Sequence, residues 1–333
     1  MATPTSTSTS TSEPTCVTIT PGKYGYVPPE ACNSQWNYSP SFASAVALAV
    51  LFGILTLSHI VLAFLHRKPF CWVIIMGATW ELTAFILRSL GSHNQQNGAY
   101  AVASQILFLL APLWINAFVY MTAGRMVYTL HPDRKVWGLK AVSMGKWFVW
   151  LDVICFIIQA AGGMMLNPGS DANLMNIGTK IYMSGTGAQQ FFILLFLVLI
   201  VRFHFDILKV QRQGLLDDRA KKSGRWWLFL TYTLYAVLAL ITMRIIFRLA
   251  EFSSGIDKAA NSLPFEESYA LGLDAFPMLL AILLLAVVHP GMILKGPESE
   301  FPSRKVKKAE KKARKEEKKS LKDAKKEGLV DCA

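Results

Sequence analysis

Two stretches decide the fold: FFILLFLVLIV, residues 191–201, and AFPMLLAILLLAVV, residues 275–288. Neither carries a charge. Each lies in an apolar run of about 20 residues, the length that crosses a hydrocarbon layer about 30 Å thick as a helix. Working outward, five more runs of this kind appear, so that spans fall near 41–65, 70–90, 101–124, 147–166, 180–201, 226–249 and 269–290. In lipid a backbone must satisfy its own hydrogen bonds, so each span is read as a helix. A membrane barrel would need alternating segments of about ten residues, and the sequence has none. The expected fold is an all-α bundle of seven transmembrane helices.

Composition agrees. Of 333 residues, 53% are hydrophobic and only 17% charged, against about 25% charged in soluble domains. The mean hydropathy is +0.35. The formal net charge is +12, but 14 of the 34 Lys and Arg fall in the last 39 residues, which describes a basic tail and some loops rather than a nucleic-acid-binding face. Five cysteines exclude a disulfide scaffold. Residues 1–40 are polar and include a Thr-Ser run at 5–12, too simple to build a core. They show neither the basic start nor the apolar centre of a signal peptide, so the first apolar segment reads as a true span. The chain thus divides into a polar N-terminal segment (1–40), the bundle (41–291) and a Lys/Glu-rich tail (292–333).

Orientation follows from the loops. One side holds Arg67 and Lys68, five basic residues from Arg125 to Lys146, seven from Arg202 to Arg225, and the tail. The other holds Lys23, Lys180 and Lys258, with Arg88 and Arg248 near helix ends. The basic side is expected in the cytoplasm, which puts the N-terminus outside and the C-terminus inside. The tail from Arg304 to Glu327 reads as a solvated charged helix, or as a contact for anionic lipid on the inner leaflet. Cys16 and Cys32 share the outer segment, where a disulfide is open to them. Asn37-Tyr38-Ser39 is a glycosylation sequon close to the membrane, followed by Pro40, and is expected to go unused.

The informative residues are ionisable groups inside spans, each costing about 2.5–3.5 kcal/mol at mid-membrane on insertion scales. Glu81 lies mid-span in the second helix, with Arg88 seven residues on along the same face. Asp152 lies in the fourth, with Gln159 two turns outward. Arg244, Arg248 and Glu251 follow an i, i+4, i+7 spacing in the sixth, Asp274 is in the outer part of the seventh, and His59 is two-thirds through the first. Two readings stand. Arg88, Arg244 and Arg248 pair with Glu251, Asp274 and Glu81 to lock helices together; or these groups line a path for a polar substrate. Interhelical polar contacts average only about 0.6 kcal/mol, which makes so many buried ions an expensive lock.

Other chemistry is excluded. There is no G-x-x-x-x-G-K-[ST] and no H-E-x-x-H. His59 and His289 are expected at opposite depths, too far apart for a metal centre. No Ser or Cys nucleophile has a placed His; Cys71 and Cys155 read as small apolar residues. The seventh span lacks a lysine for a retinal Schiff base. Hormone-receptor landmarks are missing too: the third span ends Gly124-Arg125-Met126, the seventh His289-Pro290-Gly291, and the outer loops 91–100 and 167–179 have no cysteine.

One pattern runs through seven spans, from about 24 to 291. It starts with Tyr24-Gly25-Tyr26-Val27-Pro28 and Asn33, then His59, Glu81 and Arg88. Gln105, Pro112, Tyr120 and Arg125 follow in the third span, and Asp152, Gln159, Gly162 and Gly163 in the fourth. Gly178, Gly185 and Gln189 belong to the fifth, Arg244, Phe247, Arg248, Glu251 and Phe252 to the sixth. Glu266 or Glu267, Asp274, His289 and Pro290 complete it. In this order the residues resemble the RTA-like family of fungal lipid-translocating exporters. Ala84-Phe85 departs from the family pattern, which prefers Gly and Tyr there.

The resemblance implies a multi-pass protein of a fungal membrane, expected at the plasma membrane, associated with export or flipping of sphingoid long-chain bases, with resistance to lipophilic toxins and with porphyrin traffic. The expected function is movement of an amphipathic lipid between leaflets, without enzymatic chemistry, cofactor or metal. A long-chain base has a cationic head, for which Glu81, Asp152 and Asp274 are candidates, with Gln159 and Gln189 as polar lining. Arg88, Arg244, Arg248, Glu251 and His59 are expected to balance charge along the path. The expected partner is a membrane lipid or amphipathic small molecule, not nucleic acid; the oligomeric state is left open. The alternatives are a seven-helix sensor of lipophilic stress and, less favoured, an enzyme of lipid metabolism.

Overall fold

A computed structural model describes residues 17–29, 31–166, 171–214, 226–253, 262–294 and 300–301, with 312, 313, 315, 316 and 320 of the tail. The Thr-Ser run, Cys16, Lys258, residues 215–225 and nearly all of the expected tail helix lie outside the described residues.

All seven expected spans are helices long and apolar enough to cross a membrane. They are α1 (Phe42–His66), α2 (Trp72–His93), α3 (Gly98–Leu130), α4 (Ala141–Met164), α5 (Ala172–Arg212) and α6 (Trp226–Ser253). The seventh, α7, runs through Glu267–Ala270, a π turn at Leu271–Ala275 and Phe276–Val287. Between α3 and α4 a small antiparallel hairpin pairs β1 (Lys135–Val136) with β2 (Leu139–Lys140). Ser41 caps α1 by accepting from the Ser44 N–H, and Asn97 caps α3 by accepting from the Ala99 N–H. Arg67, at a left-handed φ of 50°, ends α1, and Pro69 follows two residues later.

Two helices are much longer than their spans. α3 has 33 residues and α5 has 41, about 50 and 62 Å at 1.5 Å per residue. Hydropathy marks only the lipid-immersed stretch; the polar turns beyond it stay helical in water. Consecutive helices pack together, α3 also touches α5 and α6, and α7 closes the ring on α1. The bundle is apolar outside: Leu57, Val61 and Phe64 of α1 are exposed, as a lipid-facing stripe must be. Trp72 and Trp226, which open α2 and α6, and Trp147, in the second turn of α4, are exposed at one end, where an aromatic belt sits at the headgroup level. This end carries Arg67, Lys68, Arg125 and the hairpin, and is here called the basic end.

α4 and α5 meet through glycines. A Cβ on Gly162 would lie 2.5 Å from the Tyr182 backbone nitrogen, and one on Gly185 would lie 3.0 Å from the Cys155 carbonyl. Gly162→Ala should therefore destabilise the bundle by about 1–3 kcal/mol, despite a gain of about 1 kcal/mol in helix propensity. Thermal melts read by size exclusion check this, and an unchanged or higher melting temperature would contradict it.

Candidate functional site

The π turn of α7 has a local cause. Pro277 has no N–H to give the Leu273 carbonyl, so the regular ladder breaks there and the turn widens. This presents Asp274, wholly buried, to α6. Arg244 Nε pairs with Asp274 Oδ1 and Arg248 Nη2 with Asp274 Oδ2. Arg248 also donates to Glu251 Oε2 at 2.8 Å. Both guanidinium groups face the ring of Phe108, at 5.8 and 5.6 Å from its centroid. One carboxylate thus serves two arginines on successive turns of one helix face.

Glu81 stands differently. It is wholly buried, and neither of its oxygens has a hydrogen-bond partner. The charges acting on it are those of Arg244, Asp274 and Arg248. It lies in the field of the cluster without contact to either arginine.

Beside the cluster, α3, α4, α5 and α6 enclose a cavity whose wall includes Pro112, Gln159, Tyr182, Thr186, Gln189, Arg244 and Arg248. Gln159 donates to Gln189 across it at 2.9 Å. Its volume is about 20 Å³, room for about one water by the usual requirement of 10–15 Å³. The bundle is therefore closed around this polar centre.

The remaining expected site residues are not in that wall. Asp152 lies two turns along α4 from Gln159 toward the basic end, where Asn116 Nδ2 and Tyr120 OH both donate to its Oδ2 at 3.0 Å. His59 bonds the Ile282 carbonyl at 3.0 Å, tying α1 to α7. Arg88 does not pair with Glu81, Glu251 or Asp274, the partners expected on the helix-locking reading. It reaches Glu267 at 3.1 Å and the Tyr38 hydroxyl, with the rings of Trp36 and Tyr38 over its guanidinium. Glu267 also accepts from the Ser41 N–H at 2.8 Å, so this pair latches the N-terminal segment onto α2 and α7. The histidines also need correction. The His59 and His289 rings are 6.3 Å apart and His66 stacks on His289 at 5.0 Å, so they share one depth near the basic end. The first helix descends and the seventh descends with it, which places both residues late in their spans.

At the basic end Arg125 lies between the rings of Phe70 and Phe301, and Lys68 is 3.8 Å from Glu300. Burial lowers the Lys68 ammonium below the ordinary lysine value, and the Glu300 charge opposes that shift. In the tail, Lys312 pairs with Glu316 at 3.7 Å, four residues on, as a charged surface helix would. Cys32 is disulfide-bonded; its candidate partner Cys16 lies outside the described residues.

Sequence reasoning missed Asn116, Tyr38 and the choice of Glu267. Asn116 and Tyr120 are four residues apart on one face of α3, a signal that was there to read. The Tyr38 and Glu267 partners of Arg88 had no local signal, because both come from segments far away in the chain.

Seven apolar helices around buried ion pairs define a multi-pass membrane protein with a closed polar centre. Residues 74–297 match the family described as RTA1 like protein, and the chain belongs to that family. It is 44% identical over 314 residues to the "Probable lipid transporter atnI" of Emericella nidulans, covering 92% of this chain and 81% of that one. It is 25% identical over 308 residues to the sphingoid long-chain base transporter RSB1 of Saccharomyces cerevisiae, covering 82% and 78%. It is 30% identical over 213 residues to protoporphyrin uptake protein 1 of the same yeast, covering 63% and 65%. No solved structure matches the chain.

Proposed function

We propose that this protein moves an amphipathic lipid with a cationic head, a sphingoid long-chain base or a close relative, between the leaflets of the plasma membrane, and so contributes to resistance against lipophilic toxins. The observation that carries the reading is Glu81: a carboxylate wholly inside a membrane bundle, with no donor on either oxygen, beside arginines that are already paired to Asp274. Such a group suits an incoming ammonium. Gln159 and Gln189 supply neutral polar contacts in the adjoining cavity, and Asp274 with Arg244, Arg248 and Glu251 balances the charge around it. Arg88 and His59 hold the helices that must part for a chain-length tail to enter. Asp152, unlike Glu81, already accepts from two neutral donors and lies two turns from Gln159 toward the basic end, and is not counted among the groups that meet the head. The names of the relatives, a lipid transporter and a long-chain base transporter, favour this reading. They describe movement of a molecule rather than its chemical conversion, so the chain is proposed not to be an enzyme.

Flux of a fluorescent long-chain base in proteoliposomes of the purified chain tests it. Movement above that in empty vesicles is expected. A folded protein that binds the lipid yet moves none would point to a sensor instead.

The basic end is proposed to face the cytoplasm, with the segment 1–40 outside and the tail 292–333 inside. The loop charges support this, as does disulfide-bonded Cys32, since such bonds persist in oxidising compartments. Trp137 sits exposed in the turn of the hairpin. Trp137→Cys should react with an impermeant thiol reagent only after cells are opened, and labelling of intact cells would reverse the orientation.

A further inference from the structure

We infer that Asp152 is a proton-binding site distinct from the arginine cluster, and that its proton exchange drives the lipid movement; the driving role rests on the transport reading above, the site itself does not. Asp152 is wholly buried, with Oδ2 accepting from Asn116 and Tyr120 and Oδ1 left without a partner. The Asn116 Oδ1, on a side chain 1% exposed, is also without a partner. The groups facing Asp152 are Asn116 and Tyr120 from α3 and Cys155 from α4 itself. Against Tyr120 lie Phe148 of α4 and Phe196 of α5. Among the described residues no Lys, Arg or His pairs with it.

A buried carboxylate with neutral donors on one oxygen only is half-satisfied, and in a membrane interior such a group needs a positive partner. A metal ion would need several more oxygen ligands and space to sit. The cavity lies two helical turns away, and the aromatic rings fill this level. A proton needs no volume: the carboxylate takes one up to become the neutral acid and gives it back to become the carboxylate, with no other reactant.

The placement couples this event to the cavity. α4 carries Asp152 and, two turns outward, Gln159 in the cavity wall. α3 carries both donors and, four residues before Asn116, Pro112 in the same wall. Pro112 has no N–H for the Phe108 carbonyl, so α3 can bend there. The α3 and α4 backbones are in close contact on the basic side of Pro112, where a Cβ on Gly145 would lie 3.1 Å from the Tyr120 carbonyl. An ionised Asp152 holds both donors and pins this half of α3 to α4. The neutral acid holds them less firmly, and the half-helix swings on Pro112 to open the wall. Each opening of the wall then takes up one proton and each closing gives it back, so that one proton travels with one lipid cation.

Two measurements on the full chain in proteoliposomes test this. Infrared difference spectra between acid and neutral pH should show a protonated-carboxyl band in the wild type that is missing from Asp152→Asn. A band absent from the wild type, or unchanged in the variant, overturns the site. For flux the probe is an N-trimethyl sphingoid base, whose fixed charge prevents trapping by pH alone. One unit of pH gradient should sustain about a tenfold ratio of this cation across the membrane, since a tenfold ratio and one pH unit are the same free energy. Asp152→Asn should still let the probe equilibrate but lose the gradient-driven accumulation; accumulation equal to wild type overturns the coupling. If Asp152→Asn does not fold, Tyr120→Phe removes one donor and should move the pH midpoint of the band, and an unmoved midpoint overturns the site. A wild type that shows the band but moves no probe refutes the transport reading and with it the driving role, while leaving the site standing.

Discussion

Asp274→Asn will lower the yield of folded protein more than the same acid-to-amide exchange at Glu81, Asp152 or Glu251. The reason is the number of charges each carboxylate answers. Asp274 is the shared partner of Arg244 and Arg248, and all three side chains are buried. An amide leaves two guanidinium groups inside the bundle without their shared contact, with Glu251 still bonded to Arg248 and Glu81 acting on both only at a distance. Removing one partner of a buried pair costs about 3–5 kcal/mol in soluble proteins. Against a total stability of about 5–15 kcal/mol, that is enough to show as aggregation on size exclusion after detergent extraction. The π turn adds to the effect: with no ion pair to hold the side chain inward, the widened backbone at Leu271–Ala275 loses its compensation. A double variant, Asp274→Asn with Arg244→Gln, should recover part of the loss, because it removes one of the orphaned cations. A monodisperse Asp274→Asn protein at wild-type yield would show that the cluster does not hold α6 to α7.

The same cluster shows where sequence reading stops. Seven spans were legible because an apolar run of membrane length seldom occurs outside a bilayer. The ends of α3 and α5 were not, because a helix that leaves lipid keeps its hydrogen bonds while its side chains turn polar. Arg244, Arg248 and Glu251 were legible as one face from their spacing, and their meeting with Asp274 was among the expected pairings. The partner of Arg88 was not, since it depends on how α2 is rotated and on a segment, 31–41, that folds back over the end of the bundle to bring Tyr38 to Arg88 and Ser41 to Glu267. Position along a helix also misled for His59 and His289. Their depths were judged separately, whereas the two helices run parallel and place both rings at one level. Asp152 stood out as a buried acid, but its separation from the arginines is a property of packing between α3 and α4 that no spacing within α4 encodes.

Glu81→Gln will leave the fold intact and remove most of the transport. On the helix-locking reading of the sequence, Glu81 partners an arginine, and the amide would orphan a buried cation and unfold the chain. The structure separates the two cases. Both arginines contact Asp274, and neither contacts Glu81, so the exchange leaves their partner in place. Glutamine is nearly isosteric and brings no new charge into the interior. What it removes is the anion that an ammonium head would meet. A hydrogen bond to a charged group is worth about 1.5–3 kcal/mol, so flux of a long-chain base should fall by about 10- to 100-fold. Glu81→Asp keeps the charge on a shorter arm and should retain part of the flux. Size exclusion and flux on the same preparation separate the outcomes. An aggregated Glu81→Gln protein would mean that Glu81 is a structural partner after all, and a well-folded variant with wild-type flux would remove it from the path of the lipid.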